Sequence, residues 1–200
     1  MYQNLAEIVL ASASPRRQQY LSDMGLQFRV CTASLLEQPF AEEDPSSFVL
    51  RMAKEKAAAV RVSCPEAWVI SGDTVVCLGR RILGKPEDAK DAVRILMDLS
   101  GREHQVRTGF CVCHGGKQVE VARSVTTTVR FAAFSEATAR AYVTTGESLD
   151  KAGAYAIQGR GACLVEAIHG SYTNVVGLPL FEVLQVLEDH GVIEPISVIP

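Results

Sequence analysis

No apolar run in the 200-residue chain approaches the roughly 18–20 residues that span a bilayer, so nothing in it reads as a membrane segment. A basic excess is missing as well: 20 Lys+Arg stand against 23 Asp+Glu, a formal net charge of −3. A dedicated duplex nucleic-acid binder carries such an excess, so that partner is not expected, and any phosphorylated ligand must meet a local basic cluster. The six cysteines, at 31, 64, 77, 111, 113 and 163, show no C-x-x-C spacing. They read as reduced, buried thiols of a cytosolic protein, with Cys111 and Cys113 two apart on one strand face. His104, His114, His169 and His190 share no metal-like spacing and receive no role. There is no phosphate-binding G-x-x-x-x-G-K-[ST], no G-x-S-x-G, no internal repeat and no low-complexity linker. Met1 to Leu10 lacks a cationic segment ahead of its apolar stretch and does not read as a signal peptide, which makes a cytoplasmic location the expectation.

What remains is a globular composition, 48% hydrophobic and 22% charged, long enough for one domain or two small lobes sharing a sheet. Ile8-Val9-Leu10 is a short strand, followed by a helix that Ser14 caps and Pro15 starts, running to about Met24 and stopping at Gly25. Phe28 to Cys31 is a second strand and Ala33 to Asp44 a loop. Asp44-Pro45 starts a helix to about Val62, with Phe48, Val49, Met52, Ala53, Ala57 and Val60 near 3.6 periodicity. Ala67 to Leu78 is a β-rich run interrupted at Ser71-Gly72-Asp73-Thr74, and Gly79-Arg80 turns it into Ile82-Leu83. Asp88 to Leu99 is a helix ended by Gly101. His104 to Cys113 and Gln118 to Phe131 are long strands joined at Gly115-Gly116, and Ser135 caps a helix to about Thr145. Ala162 to Ile168 is a strand, Leu178 to His190 a last helix, and 192–200 a peripheral apolar tail marked by proline. Crossovers mixed with hairpins imply an α/β fold with a mixed sheet flanked by helices.

Four segments carry candidate chemistry. At Ser12 to Arg17 a strand feeds a small-residue turn into a helix start, where backbone N–H groups suit an anion. Two arginines in the first turn oppose the helix dipole, a local conflict expected of a functional site; the alternative is a capped helix with solvated arginines. Asp73, inside an apolar run, must be paired, metal-bound or at a strand end, unless it is a turn residue. Gly84-Lys85-Pro86 offers a lysine as a phosphate point charge, or an ordinary turn. Leu149 to Gly161 holds three glycines, Tyr155 and Gln158, suiting a ligand-lining loop or a glycine-rich surface loop. The Gln158 amide is both donor and acceptor, as reading a base edge requires.

Together these segments resemble the Maf proteins, septum-formation-inhibitor-like nucleoside triphosphate pyrophosphatases. The resemblance is carried by L-A-S-A-S-P-R-R at 10–17, R-M-A-K-E-K-A at 51–57, S-G-D-T-V-V at 71–76 and L-G-K-P at 83–86. It continues through L-S-G-R-E-H-Q-V at 99–106, D-K-A-G-A-Y-A-I-Q-G at 150–159 and G-S-Y-T-N-V-V-G-L-P-L at 170–180. It implies one Maf-like domain over 1–200, a two-lobed α/β fold with a mixed sheet and a cleft, similar to the inosine triphosphate pyrophosphatases. It also implies hydrolysis between the α and β phosphates with a divalent cation, Mg or Mn, in a homodimer.

Carried over by motif, Asp73 matches the catalytic acid and general base, and Glu37, Lys56 and Lys85 match active-site positions near metal and phosphates. Glu37 and Asp73 are the implied metal ligands. Ser12, Ser14, Arg16 and Arg17 form the substrate-binding turn; Arg16, Thr74 and Gln158 match the positions that set base specificity. Gly153, Tyr155, Ile157, Gln158 and Gly159 match the G-x-Y-x-I-Q-G pattern that goes with dTTP and UTP, rather than the S-F-x-x-E-G pattern that goes with 7-methyl-GTP. One departure is Ser34-Leu35-Leu36 ahead of Glu37, where the family commonly has further acids. The competing readings are a non-enzymatic nucleotide-binding regulator of cell division and a 7-methyl-GTP pyrophosphatase.

Overall fold

A computed structural model describes residues 1–196. The chain forms two compact units, one from Met1–Asp73, Gly109–Ser124 and the described part of Gly177–Pro200, the other from Thr74–Thr108 and Val125–Val176. Three strands, β4 (Trp68–Leu78), β6 (Glu103–His114) and β7 (Val119–Phe131), contribute residues to both. The sheet is mixed, as expected.

In the first unit the strand order is β3 (Arg29–Val30), β2 (Ile8–Leu10), β4, β6, β7. β2 runs parallel to both neighbours, placing Leu10 beside Val30 and Ile70. Parallel strands need crossovers, and α1 (Pro15–Asp23) and α2 (Pro45–Arg61) supply them. α2 begins where expected: the Asp44 carboxylate accepts from Ser46 N–H and Ser47 N–H, and Pro45 takes the first position. Of its buried residues, the small side chains Ala53, Ala57 and Val60 pack with Val9, Val69, Cys111 and Cys113 into one core cluster. Cys111 and Cys113 do share a face, but Cys163 is exposed and Cys31 only half-buried, against the expectation that every thiol is buried. α6 (Leu180–Asp189) closes the unit.

Within the apolar tail, β9 (Ile193–Pro195) pairs antiparallel with β1 (Tyr2–Asn4), two short strands that no periodicity marks. The remainder of the tail, 197–200, lies outside the described residues.

In the second unit the order is β5 (Arg81–Leu83), β4, β6, β7, β8 (Val165–His169), with β5 on β4 and β8 on β7 both antiparallel. α3 (Ala89–Leu99), capped by Asp88, packs on α4 (Glu136–Val143), capped by Ser135. The strand expected from Ala162 starts only at Val165, because Gly159–Leu164 coils into a 3₁₀ turn. Gly159 enters that turn in the left-handed region, φ 74°, which a strand cannot continue. A short helix, α5 (Tyr172–Val176), carries Asn174, whose buried amide donates to Val106 O and Thr127 Oγ1.

Candidate active site

Asp73 is placed by a strand, not a turn. β4 runs through Ser71-Gly72-Asp73-Thr74 without the interruption expected, because its buried polar side chains find partners. Ser71, fully buried, donates to Ala53 O at 2.6 Å. Asp73, 7% exposed, accepts from Lys56 Nζ at 2.7 Å. With both satisfied, extended backbone costs nothing in orphaned groups.

Lys56 stands on α2, and its ammonium also meets Glu37 Oε1 at 2.7 Å. Two carboxylates therefore converge on one cation, leaving a net negative charge. Asp73 and Lys56 keep only 10% and 13% of their side-chain surface exposed, while Glu37 keeps 53%.

Glu37 lies in the loop that follows β3, and Arg51, on α2, holds that loop. The Arg51 guanidinium forks onto Glu43, with Nε to Oε1 at 2.8 Å and the second nitrogen to Oε2 at 2.7 Å. It also donates to Gln38 O at 3.0 Å and to Glu55 at 3.1 Å, and lies 3.9 Å over the Phe40 ring. Gln38 is the residue after Glu37, so one helix supplies both the ammonium and the anchor for the carboxylate that meets it. The hydrogen bonds to Glu43 hold that carboxyl below its usual range. Arg51 opens the R-M-A-K-E-K-A motif, yet Gln38, Phe40 and Glu43 lie outside it, and no spacing in the sequence points to them.

The turn at 12–17 is knitted inward. Arg17 is buried; its Nε donates to Gly177 O at 2.7 Å, and a terminal nitrogen donates to Gly72 O at 2.7 Å and Ser12 Oγ at 3.0 Å. Burial lowers the guanidinium pKa, and the charges of Asp73 and Glu37 oppose that shift while Arg16 adds to it. One side chain thus ties the turn, the strand residue before Asp73 and the chain ahead of α6. Ser14 occupies the N-cap position of α1, but its side chain makes no capping hydrogen bond, contrary to expectation. The nearby hydroxyl of Ser12 accepts the Ser14 N–H instead, at 3.3 Å. Arg16 is half-buried.

The first unit thus contains Ser12, Ser14, Arg16, Arg17, Glu37, Lys56 and Asp73, and it brings Ser12 to Arg17 and Glu37 to Lys56 and Asp73. Thr74, Lys85 and Gln158 belong to the second. Thr74 Oγ1 is 2.9 Å from Thr108 Oγ1, and the Thr108 hydroxyl is 3.1 Å from Asn174 O. Lys85 is exposed on the turn after β5, where Gly84 O accepts from Gly153 N–H at 3.1 Å. Gln158 is exposed at the head of the Gly159–Leu164 turn. The loop leading to it is anchored by Tyr155, whose hydroxyl is 2.8 Å from His104 Nε2, both rings packing on Phe131. Burial brings the His104 pKa down to about 4 and pushes the Tyr155 phenol up.

A family model described as "Maf-like protein" matches residues 7–190. The chain belongs to the Maf family. It is similar to the dTTP/UTP pyrophosphatase of Desulfotalea psychrophila, 49% identical over 193 residues, covering 96% of this chain and 99% of that protein. A protein of the same name from Geobacter metallireducens is 46% identical over 186 residues, covering 93% and 97%. Among solved structures, the Staphylococcus aureus Ham1 protein aligns at a TM-score of 0.42 and 17% identity, over 63% of this chain and 72% of that one.

Proposed function

We propose that this chain is a nucleoside triphosphate pyrophosphatase that converts dTTP and UTP to the monophosphate and pyrophosphate. The names of its near full-length relatives support the substrate class. The single observation that carries the chemistry is the convergence of Asp73 and Glu37 on the Lys56 ammonium, 2.7 Å from each. In this reading Asp73 takes the proton of the attacking water as the water oxygen bonds to phosphorus and the phosphoanhydride bond breaks, pyrophosphate carrying off the electron pair. Lys56 holds both carboxylates in place and offsets one of their charges. Lys85 adds a point charge for the phosphates, and Thr74 and Gln158 present a hydroxyl and an amide to the base.

A divalent cation, Mg or Mn, fits the residues present. Asp73 and Glu37 supply hard oxygen donors in one place, and no third His, Cys, Asp or Glu joins such a group among the described residues. Leu36, 75% exposed ahead of Glu37, contributes no oxygen. Mg²⁺ keeps several waters and takes substrate phosphates as ligands, so two carboxylates suffice to hold it. When bound, the cation neutralises phosphate charge that would repel a nucleophile.

The test is release of pyrophosphate and monophosphate from dTTP with Mg²⁺ or Mn²⁺, for the wild type and Asp73→Asn. Turnover should fall by about 10²–10⁴-fold in the variant, with nucleotide binding retained. A wild type that binds dTTP without turning it over would sink the pyrophosphatase reading in favour of a nucleotide-binding regulator.

A further inference from the structure

Gln158 is exposed, yet the five residues centred on it are held at both ends. Two positions before it, the Ala156 N–H donates to the Tyr142 hydroxyl at 3.0 Å. Two positions after it, the Arg160 N–H donates to both oxygens of Glu147, at 3.1 and 3.3 Å. Tyr142 is 5% exposed and sits on α4, so the bracket is rooted in the second unit's helical layer.

The sequence of the loop is shaped to this bracket. A Cβ at Gly161 would lie 2.1 Å from Ala156 O and 2.8 Å from the Tyr142 hydroxyl oxygen, so no larger residue fits. A Cβ at Gly159 would lie 3.1 Å from Glu147 Oε1, at a φ of 74° that side chains rarely adopt. The neighbouring Ile157 is buried. A surface loop with no task has no need of two buried or half-buried side-chain acceptors aimed at its backbone. An amide that must meet one base edge does need them, because a freely moving loop would have to be ordered on every binding event.

We propose that Tyr142 and Glu147 are positioning residues for base selectivity: they fix the 156–160 backbone so that the Gln158 amide is presented in one place. This rests on the reading of Gln158 as the residue that contacts the base. Neither residue touches substrate, and neither takes part in the phosphate chemistry.

The experiment measures kcat and KM separately for dTTP, UTP, dCTP and dGTP with the wild type, Tyr142→Phe, Glu147→Ala, Glu147→Gln, Gln158→Ala and the double variant Glu147→Ala/Gln158→Ala. Tyr142→Phe and Glu147→Ala should each lower the preference for dTTP and UTP by roughly 10-fold, expressed in KM, as expected when a polar contact in a recognition site is misplaced. Glu147→Gln keeps an oxygen acceptor and should restore most of the preference. In the double variant the loss of Glu147 should add nothing to the loss of Gln158, since both act on one contact. A uniform loss across all four nucleotides, or an unchanged preference in Tyr142→Phe and Glu147→Ala beside a collapsed one in Gln158→Ala, would overturn the bracket alone. An unchanged preference in Gln158→Ala would overturn the base-reading role, and the bracket with it. Should Glu147→Ala fail to fold, Tyr142→Phe, which removes one oxygen atom, carries the same comparison.

Discussion

The Asp73 cluster of the first unit and the Gln158 loop of the second are organised by opposite means. Around Asp73 the side chains are charged and fixed by each other, with Asp73 and Lys56 nearly buried: Lys56 meets two carboxylates, and Arg17 holds the backbone on which one of them stands. Around Gln158 the side chain proposed to read the base is neutral and exposed, and it is the backbone that is held, by Tyr142, Glu147 and the His104–Tyr155 contact. Charge acting on phosphate needs strength and a low-dielectric surround. An amide reading a base needs a fixed place more than strength. The contrast matches the division of labour proposed for the two regions, and it can be tested region by region.

The largest stability effect should come from uncoupling the charged cluster. Lys56→Met leaves Asp73 buried without its cation and should cost about 3–5 kcal/mol in a urea titration at pH 7. Asp73→Asn in the same background removes the orphaned charge and should recover much of that loss. If the double variant is as unstable as Lys56→Met, the pair is not what holds this part of the fold. Gln158→Ala, by contrast, should leave stability within about 0.5 kcal/mol of the wild type, because the side chain is exposed.

A comparable effect in the second unit should appear only in acid. His104 has its pKa brought down by burial to about 4, against an ordinary value of 6.5. Below pH 6.5 the unfolded chain takes up a proton that the folded chain refuses, so stability is complete above that pH and falls as pH drops towards 4. The loss should reach on the order of 3 kcal/mol, and His104→Gln should flatten the slope of urea midpoint against pH in that window. A slope unchanged by the substitution would assign acid sensitivity to other groups and remove His104 as an anchor of the Gln158 loop.

The smallest effect separates two helix starts that look alike in sequence. Asp44→Ala should cost about 1 kcal/mol, because its carboxylate accepts two N–H groups of α2. Ser14→Ala should cost less than about 0.5 kcal/mol, because that hydroxyl makes no capping hydrogen bond. A loss of about 1 kcal/mol at Ser14 would return it to the role of an ordinary cap.

The elements with a strong periodic or capping signal are legible in the sequence. α2 and α3 begin at Asp44 and Asp88 and end within a residue of the positions that their apolar pattern and glycines indicate. β1, β9 and α5 are not legible, because three to five residues hold too few apolar repeats to define a period. The supposed break in β4 shows why polar residues mislead in a strand. Ser71 and Asp73 read as a turn until their partners on α2, about 17 residues away in sequence, are known. Arg17 is the same lesson for the site, with acceptors as far apart in sequence as Ser12, Gly72 and Gly177.

Composition and spacing were enough to set which residue types are available for chemistry and in what order: the arginine pair after a strand, an acid within an apolar run, a lysine on a helix, an amide among glycines. Those are local properties, which survive without a fold. Which acid meets which lysine, which arginine turns inward and which N–H groups fix the Gln158 loop depend on the folded chain alone. Hydrogen bonds and ion pairs act over about 3 Å, and only folding brings residues dozens of positions apart within that reach.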